Sequence, residues 1–490
     1  MGSALSTFLT IAATYIVTDL IQNYVWANRK ADGTAKARWP ASPKKLPFFF
    51  NGYQDFRSKG CKALTAWSKS DGLQSLFSVQ LVKKRIIVLN QGSLVRKAFV
   101  ELDQCNSSRP APPGDLVENV MTDMGKTVFS APFELYWSRL RRGIHKNQQE
   151  QLVNLNSMIR HFVDGLCERI QKQVESGTAT IEAGLLRQWT DRLALEGILF
   201  MVVGATQVDS DKLDTIISLH HEVESMQSDA WYDRYAAFVP LARTVATLVR
   251  GSKPIVRVRN KLLDLILGLR NEDFNTLEEI EPSKNDPNPE QLTPDQIALN
   301  LMHLTLHGYT FLSAALFALI QRVASLSDLQ AQLLHHPELV RATVAETLRC
   351  HPPATLWSHT SRVDHEFENW RVDEGTQLVV NLDRIHFDPA TYPDPHRFDP
   401  TRFLKQNNNN SILDDKTAPA TDHLAFGAGR RACLGKAASQ QIMAQTLAGL
   451  VSAFKMKGGN ADTSVEKPGN VFAWTGRSVV IGTTVEFSRR

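Results

Sequence analysis

Cysteine is scarce in this chain, with five in 490 residues at positions 61, 105, 167, 350 and 433. An odd and scattered set excludes a disulfide framework, and the lack of any C-x-x-C pair removes the usual zinc signature. A reducing compartment fits, and Cys61, Cys105, Cys167 and Cys350 read as ordinary thiols that pack like small apolar residues. An excess of one charge is missing too: 55 Lys and Arg stand against 51 Asp and Glu, for a formal net charge of +4. No basic stripe interleaved with aromatics breaks that balance, so nucleic acid is excluded as a partner. No internal repeat is visible.

What the chain has is apolar material. Hydrophobic residues make up 43% of it, enough for a large core, and no shift of composition divides the body into separate domains. Residues 4–26, ALSTFLTIAATYIVTDLIQNYVW, approach the ~20 apolar residues of a bilayer-spanning helix. No Lys or Arg precedes them, whereas Arg29, Lys30, Lys36, Arg38, Lys44 and Lys45 follow, which places the rest of the chain in the cytoplasm. Pro40, Pro43 and Pro47 then prevent the helix from continuing. The expected organisation is a membrane anchor at 1–28, a basic, proline-rich hinge at 29–50 and one domain at 51–490.

Within that domain, residues 73–90 alternate like a β-hairpin rich in Val, Ile and Phe. From 133 to 268 the apolar spacing becomes helical. Residues 271–295 are acidic and proline-rich, a solvated connection ending at Pro294, a good helix start. Residues 297–326 form a helix apolar on every face, which predicts a central core position rather than a membrane span. Strand-like alternation returns at 362–380 around a turn at Glu374-Gly375, and 478–487 reads as a strand pair. The fold class is mainly α with small β-sheets.

Residues 426–435, FGAGRRACLG, change the reading of one cysteine. A thiolate that ligates iron must be kept deprotonated and shielded, as backbone N–H groups and the positive end of the following helix can do. Gly427, Gly429 and Gly435 let the main chain turn tightly beside a flat ring, Phe426 packs on it, and Arg431 offers a fork for a carboxylate.

Phe426, Gly429, Arg431, Cys433 and Gly435 match F-x-x-G-x-R-x-C-x-G, the haem loop of the cytochromes P450, which the chain resembles from about Pro40 to its C-terminus. The resemblance implies haem b with Cys433 as axial ligand to iron, held between the long helix and the cysteine loop. It also implies a buried E-x-x-R triad, matched by Glu346 and Arg349 with Arg402 of PHRFDPTRF as third member. Trp137 and Arg141 match the family's W-x-x-x-R helix, whose tryptophan and arginine approach a haem propionate. Arg362, at the start of the strand after the E-x-x-R helix, and Arg431 are the further propionate ligands it suggests.

The long helix departs from the family. Where A/G-G-x-D/E-T is usual, the chain reads His307-Gly308-Tyr309-Thr310-Phe311, with Thr310 for the acid and Phe311 for the alcohol. A shift of one residue would instead make Thr310 the usual alcohol. Helical spacing places Leu304, His307, Gly308, Phe311 and Ala315 on one stripe over the haem. His303 and His307 share a spacing with zinc sites, but no intervening Glu and no third ligand accompany them, so each reads as a hydrogen-bonded core histidine, with contact to substrate or a water chain as the alternative for His307.

The resemblance implies a monooxygenase that oxidises an apolar small molecule of a specialised biosynthetic pathway. No flavin or nicotinamide domain follows the haem region, so electrons are expected from NADPH through a separate NADPH-cytochrome P450 reductase, with cytochrome b5 as an optional donor. An endoplasmic reticulum membrane location follows from the anchor. The missing acid and alcohol leave open a P450-fold enzyme that couples or rearranges substrate without inserting oxygen. A non-catalytic haem carrier or sensor is the third reading.

Overall fold

The structure is a computed structural model, described here for residues 40, 43, 61–69, 73–81, 84–109, 116–228, 252–271, 292–408, 423–458, 464–468, 476–480 and 484–490. The expected anchor, nearly all of the hinge and most of the acidic connection lie outside the described residues.

Helix α1 (Cys61–Ser68) precedes the first strands, and α2 (Gly92–Arg96) runs into a π turn at Lys97–Glu101. After α3 (Leu116–Met121), the apolar spacing of residues 133–268 becomes α4 (Leu135–Glu175), α5 (Ala183–Val203), α6 (Ser210–Ser228) and α7 (Lys253–Leu267). The second half holds α8 (Pro294–Ala324), α9 (Ser327–His335), α10 (Pro337–Cys350), α11 (Leu382–His386) and α12 (Lys436–Ala453).

Helix α8 starts where its sequence dictates. The Thr293 hydroxyl accepts the Gln296 N–H at 3.3 Å while Gln296 Oε1 accepts the Thr293 N–H at 3.0 Å, a reciprocal cap with Pro294 just inside. The helix is long and apolar enough to cross a bilayer, yet 78% of its most apolar window is buried in protein, which makes it the central core helix. It packs closely on α5 through Gly308, where an added Cβ would stand 3.0 Å from Ile198 Cγ2. One apolar cluster joins α8 to α4, α5, α10 and α12.

The strands are β1 (Leu76–Leu81), β2 (Lys84–Leu89), β3 (Thr180–Ile181), β4 (Ala354–Thr360), β5 (His365–Phe367), β6 (Trp370–Val372), β7 (Gln377–Asn381), β8 (Phe454–Gly458), β9 (Ser464–Pro468), β10 (Gly476–Val480) and β11 (Val485–Arg489). The larger sheet has the order β1-β2-β7-β4-β10-β9, antiparallel except where β2 pairs β7. The expected hairpin is present, with Phe77 opposite Val88. Every residue of β7 is buried, as befits a strand between two others. A second apolar cluster under this sheet includes Val95, Phe99 and Val380 and reaches the cysteine loop through Ala428.

Two strand expectations need correction. Residues 362–380 contain a second turn, because Glu368 and Asn369 both adopt positive φ, 52° and 62°, and close the β5–β6 hairpin. A two-residue turn of this hand is signalled by Asn-Gly more often than by Glu-Asn, which hid it. At the C-terminus both strands exist but do not pair. β10 joins β4 and β9, whereas β11 joins β3 and β8 in a separate three-stranded sheet.

Candidate haem-thiolate site

Cys433 lies in a loop folded back on itself. Its N–H donates to Phe426 O at 2.8 Å, and Ala432 N–H donates to Gly429 O at 3.0 Å. Gly429, at φ +67°, abuts the π turn so closely that a Cβ would stand 1.8 Å from Phe99 O, so no other residue fits without moving the loop. Gly435 has ordinary backbone angles and caps α12. The Cys433 side chain is exposed. Surrounding protein raises its thiol pKa, while the Gly435 N–H, Arg141 and Lys436 act in the opposite direction and favour the thiolate. Burial pushes Cys350 up to about 12 and Cys167 up to about 11, so both stay protonated at neutral pH.

Beside the loop stands a cluster of cations. Trp137 is buried and donates its indole N–H to Val128 O at 2.9 Å. The Arg431 guanidinium lies 4.5 Å from the Trp137 ring centroid and bonds the carbonyls of Ser107, Val128 and Ala131. Arg141 Nη2 donates to Ala432 O at 2.7 Å, which ties α4 to the residue before the cysteine. Two further members were not foreseen from sequence. Arg109 donates to Phe129 O at 3.2 Å and to Ser358 O. His359, buried on β4 against Phe99, has an Nδ1 without a hydrogen-bond partner among the described residues.

Burial, Arg109 and Arg141 push Arg431 down to about 8, and burial lowers Arg141 as well. His359 is held well below its ordinary value by burial and by Arg109 and Arg431. Buried like charges of this kind are unfavourable until an anion joins them. The orphaned His359 nitrogen and the mutually repelling arginines therefore fit a haem whose two propionates would supply the negative charge. Nothing in the local pattern flagged Arg109, in Ser-Ser-Arg-Pro, or His359, in an ordinary strand.

Arg362 departs from its expected place. It follows β4 rather than starting a strand, its N–H donates to Cys105 O at 2.9 Å, and its guanidinium sits 5.6 Å from the Phe133 ring centroid. His359 is the β4 residue that the structure puts beside Arg109 and Arg431.

Glu346 and Arg349 are both wholly buried and pair in a fork, with Nε to Oε2 and Nη2 to Oε1 each 2.7 Å. Arg402 Nε stands 3.6 Å from Glu346 Oε1, and Asp399 N–H donates to the same oxygen at 2.9 Å. Arg397 offers its carbonyl to Arg349 and Arg402. His386, unforeseen, connects this cluster to the cysteine loop. Its Nδ1–H donates to Arg349 O at 2.9 Å, and its Nε2 accepts the Leu424 N–H at 3.0 Å. Burial, then His423, holds His386 down to about 3, so the ring is neutral and this tautomer is the one that satisfies both partners.

On α8 the sides differ sharply. Between residues 299 and 321, only Leu304, His307, Gly308 and Phe311 are not buried, and they follow one helical stripe. Ala315, expected on the same stripe, is buried in the core. Thr310 lies off it, and its hydroxyl donates to Leu306 O at 2.6 Å, a geometry that occupies the proton a relay would need. Gly308 presents its Cβ position to Ile198, so close helix packing explains the glycine without a cofactor contact. His303 is buried, with Nε2 bonded to Met121 O at 2.9 Å, and burial pushes it down to about 4. His307 lies 4.8 Å, ring to ring, from Phe129, whose carbonyl accepts from Arg109.

The cytochrome P450 family model matches residues 40–475. This chain belongs to the cytochrome P450 family. As a P450 it is a haem-thiolate oxidoreductase of the monooxygenase type. It is 22% identical over 475 residues to salutaridine synthase of Papaver somniferum, covering 91% of this chain and 90% of that protein. Cheilanthifoline synthase of Argemone mexicana is 23% identical over 477 residues, covering 92% of each. A zebra fish cytochrome P450 solved with abiraterone superposes with a TM-score of 0.67 at 18% identity, covering 88% of this P450 and 99% of that chain. Membership of the family implies a haem-thiolate cofactor.

Proposed function

We propose that this P450 takes electrons from NADPH through a separate NADPH-cytochrome P450 reductase, with cytochrome b5 as an optional donor, and inserts oxygen into an apolar small molecule of a specialised biosynthetic pathway. The carrying observation is the pairing of a glycine-turned loop that exposes Cys433 with an open stripe on α8 free of Asp, Glu, Lys and Arg. Thiolate-ligated haem, when bound, supplies the electron density that favours O–O cleavage. Cys433 would ligate its iron. Arg109, Arg141, Arg431 and His359 would hold its carboxylates, with Trp137 and Phe426 beside it. Leu304, His307 and Phe311 shape the apolar chamber for substrate. The names of both plant relatives, salutaridine synthase and cheilanthifoline synthase, support small-molecule biosynthesis.

Residues 1–28 are proposed to anchor the enzyme in the endoplasmic reticulum membrane with the catalytic domain facing the cytoplasm. A chain starting at Pro40 is expected to leave the membrane fraction and still bind haem. Full retention on membranes would refute the anchor.

The purified full chain with reductase, NADPH and a metabolite panel is expected to consume oxygen in a substrate-dependent way and to place one labelled atom from O2 in the product. A haem protein that shows no such consumption with any metabolite is a carrier or sensor instead. A second reading, coupling or rearrangement without oxygen insertion, draws support from one feature: no hydroxyl or carboxyl lies on the open stripe of α8. Turnover with no labelled atom in product would favour it.

A further inference from the structure

We infer that Asn300 of α8 is a positioning residue for Arg431: it fixes the main chain at Val128 from one side, and Arg431, together with Trp137, binds the Val128 carbonyl from the other. The inference rests on the haem reading above and adds to it a residue that acts through another.

Residues 122–131 join α3 to α4 as turns and bends, with Asp123, Met124 and Gly125 all at positive φ. Such a stretch has no ladder of its own to fix where its carbonyls point. The cation cluster is nevertheless built on those carbonyls. Arg431 bonds Val128 O and Ala131 O, Trp137 donates to Val128 O at 2.9 Å, and Arg109 donates to Phe129 O at 3.2 Å. Arg431 spends three of its five N–H groups on Ser107, Val128 and Ala131 among the described residues. One hydrogen is left on each terminal nitrogen, the pair a carboxylate takes in a fork. Where Val128 O moves, that fork turns with it.

Asn300 holds the segment from the α8 side. It is wholly buried; its Oδ1 accepts the Val128 N–H at 2.8 Å, while Nδ2 donates to Lys126 O at 3.3 Å and to Gln296 O of its own helix at 2.8 Å. Both carbonyls need its nitrogen and the N–H needs its oxygen, so the amide has one orientation. One side chain thus brackets Thr127, supplying the donor and the acceptor that a neighbouring strand would. Truncating it does not affect the two ends alike. Lys126 O keeps the Tyr136 hydroxyl at 2.7 Å, whereas the Val128 N–H is stranded, so the loss falls on the residue that Arg431 and Trp137 share.

The test follows haem transfer from the full-length holoenzyme to apomyoglobin, with the reduced carbon monoxide band as the check on ligation. Asn300→Ala is expected to speed transfer by about tenfold. In an Arg431→Lys background the same substitution is expected to contribute less than about twofold, because the bond it steadies is already lost. Ser313→Ala, which cuts a buried bond from the same helix to Asp191, is the control for stability alone. It is expected to lower the urea midpoint and to change transfer by less than about twofold. The inference is overturned if Asn300→Ala keeps its full effect in the Arg431→Lys background, or if Ser313→Ala speeds transfer as much for an equal loss of midpoint. Should Asn300→Ala arrive without haem, far-ultraviolet dichroism decides: a folded chain supports the inference and an unfolded one overturns it. Absence of the carbon monoxide band from wild type defeats the haem reading beneath, whereas a normal band with an additive cycle defeats the positioning role alone.

Discussion

The two walls of the haem cleft are built on opposite terms. On the cysteine side the main chain and its supports are committed: the loop closes on itself, Gly429 is forced by Phe99 O, and His386 links Leu424 to the Arg349–Glu346 pair. On the α8 side, the open stripe carries rings and aliphatic groups, and Thr310 spends its hydroxyl within the helix. The first wall is proposed to hold haem. The second is proposed to set the chemistry of this particular P450.

The strongest way to break that division is to strand a buried charge on the committed side. Glu346→Ala or Arg349→Ala is expected to destabilise the fold by roughly 3–5 kcal/mol and to yield haem-poor protein, read as the haem-to-protein absorbance ratio. Normal haem content in both variants would show that the pair is dispensable.

Smaller losses are expected from the cation cluster. Arg109→Ala and His359→Ala should each speed haem transfer to an acceptor protein by roughly tenfold, since each removes a bond to a charged group. Arg362→Ala should have less effect than either, because its guanidinium lies over Phe133. The reverse ranking would restore Arg362 to the cluster.

Acid lability sharpens the comparison further. His386 titrates near 3 when folded, against about 6.5 unfolded. Its neutral form is favoured by the fold, so stability is full above about pH 6.5 and falls as pH drops from there toward 3. The denaturant midpoint should fall between pH 7 and pH 5, and less steeply in His386→Gln. Identical slopes would remove His386 from the account.

The mildest effects belong to α8. Phe311→Thr is expected to keep haem content normal while changing coupling or product distribution, because a hydroxyl would then stand on the open stripe. Thr310→Ala should alter turnover by less than about twofold, as its hydroxyl serves Leu306 O. A large loss in Thr310→Ala with none in Phe311→Thr would reverse the two assignments.

These contrasts also mark what the sequence could disclose. The Cys433 loop was legible through its match to the family's F-x-x-G-x-R-x-C-x-G spacing, and the buried Glu346–Arg349 pair through its match to E-x-x-R, whose Glu and Arg share one helix face. Pro294 marked the start of the long helix, and the helix begins there. Arg109, His359 and His386 were not legible, since each acts through chain segments far away in sequence and none has a local pattern of its own. Arg362 misled for the same reason: an arginine near a strand end says nothing of which neighbour will be buried. Thr310 looked like a relay by type, but helical phase turned it aside by one residue.

The most direct measurement is the reduced carbon monoxide difference spectrum of two full-length variants side by side. The account predicts that Cys433→His loses the red-shifted band, which requires a thiolate opposite the gas, while Phe311→Thr retains it at normal intensity. A retained band in Cys433→His, or a lost one in Phe311→Thr, would contradict the division between a wall that holds the haem and a wall that directs its use.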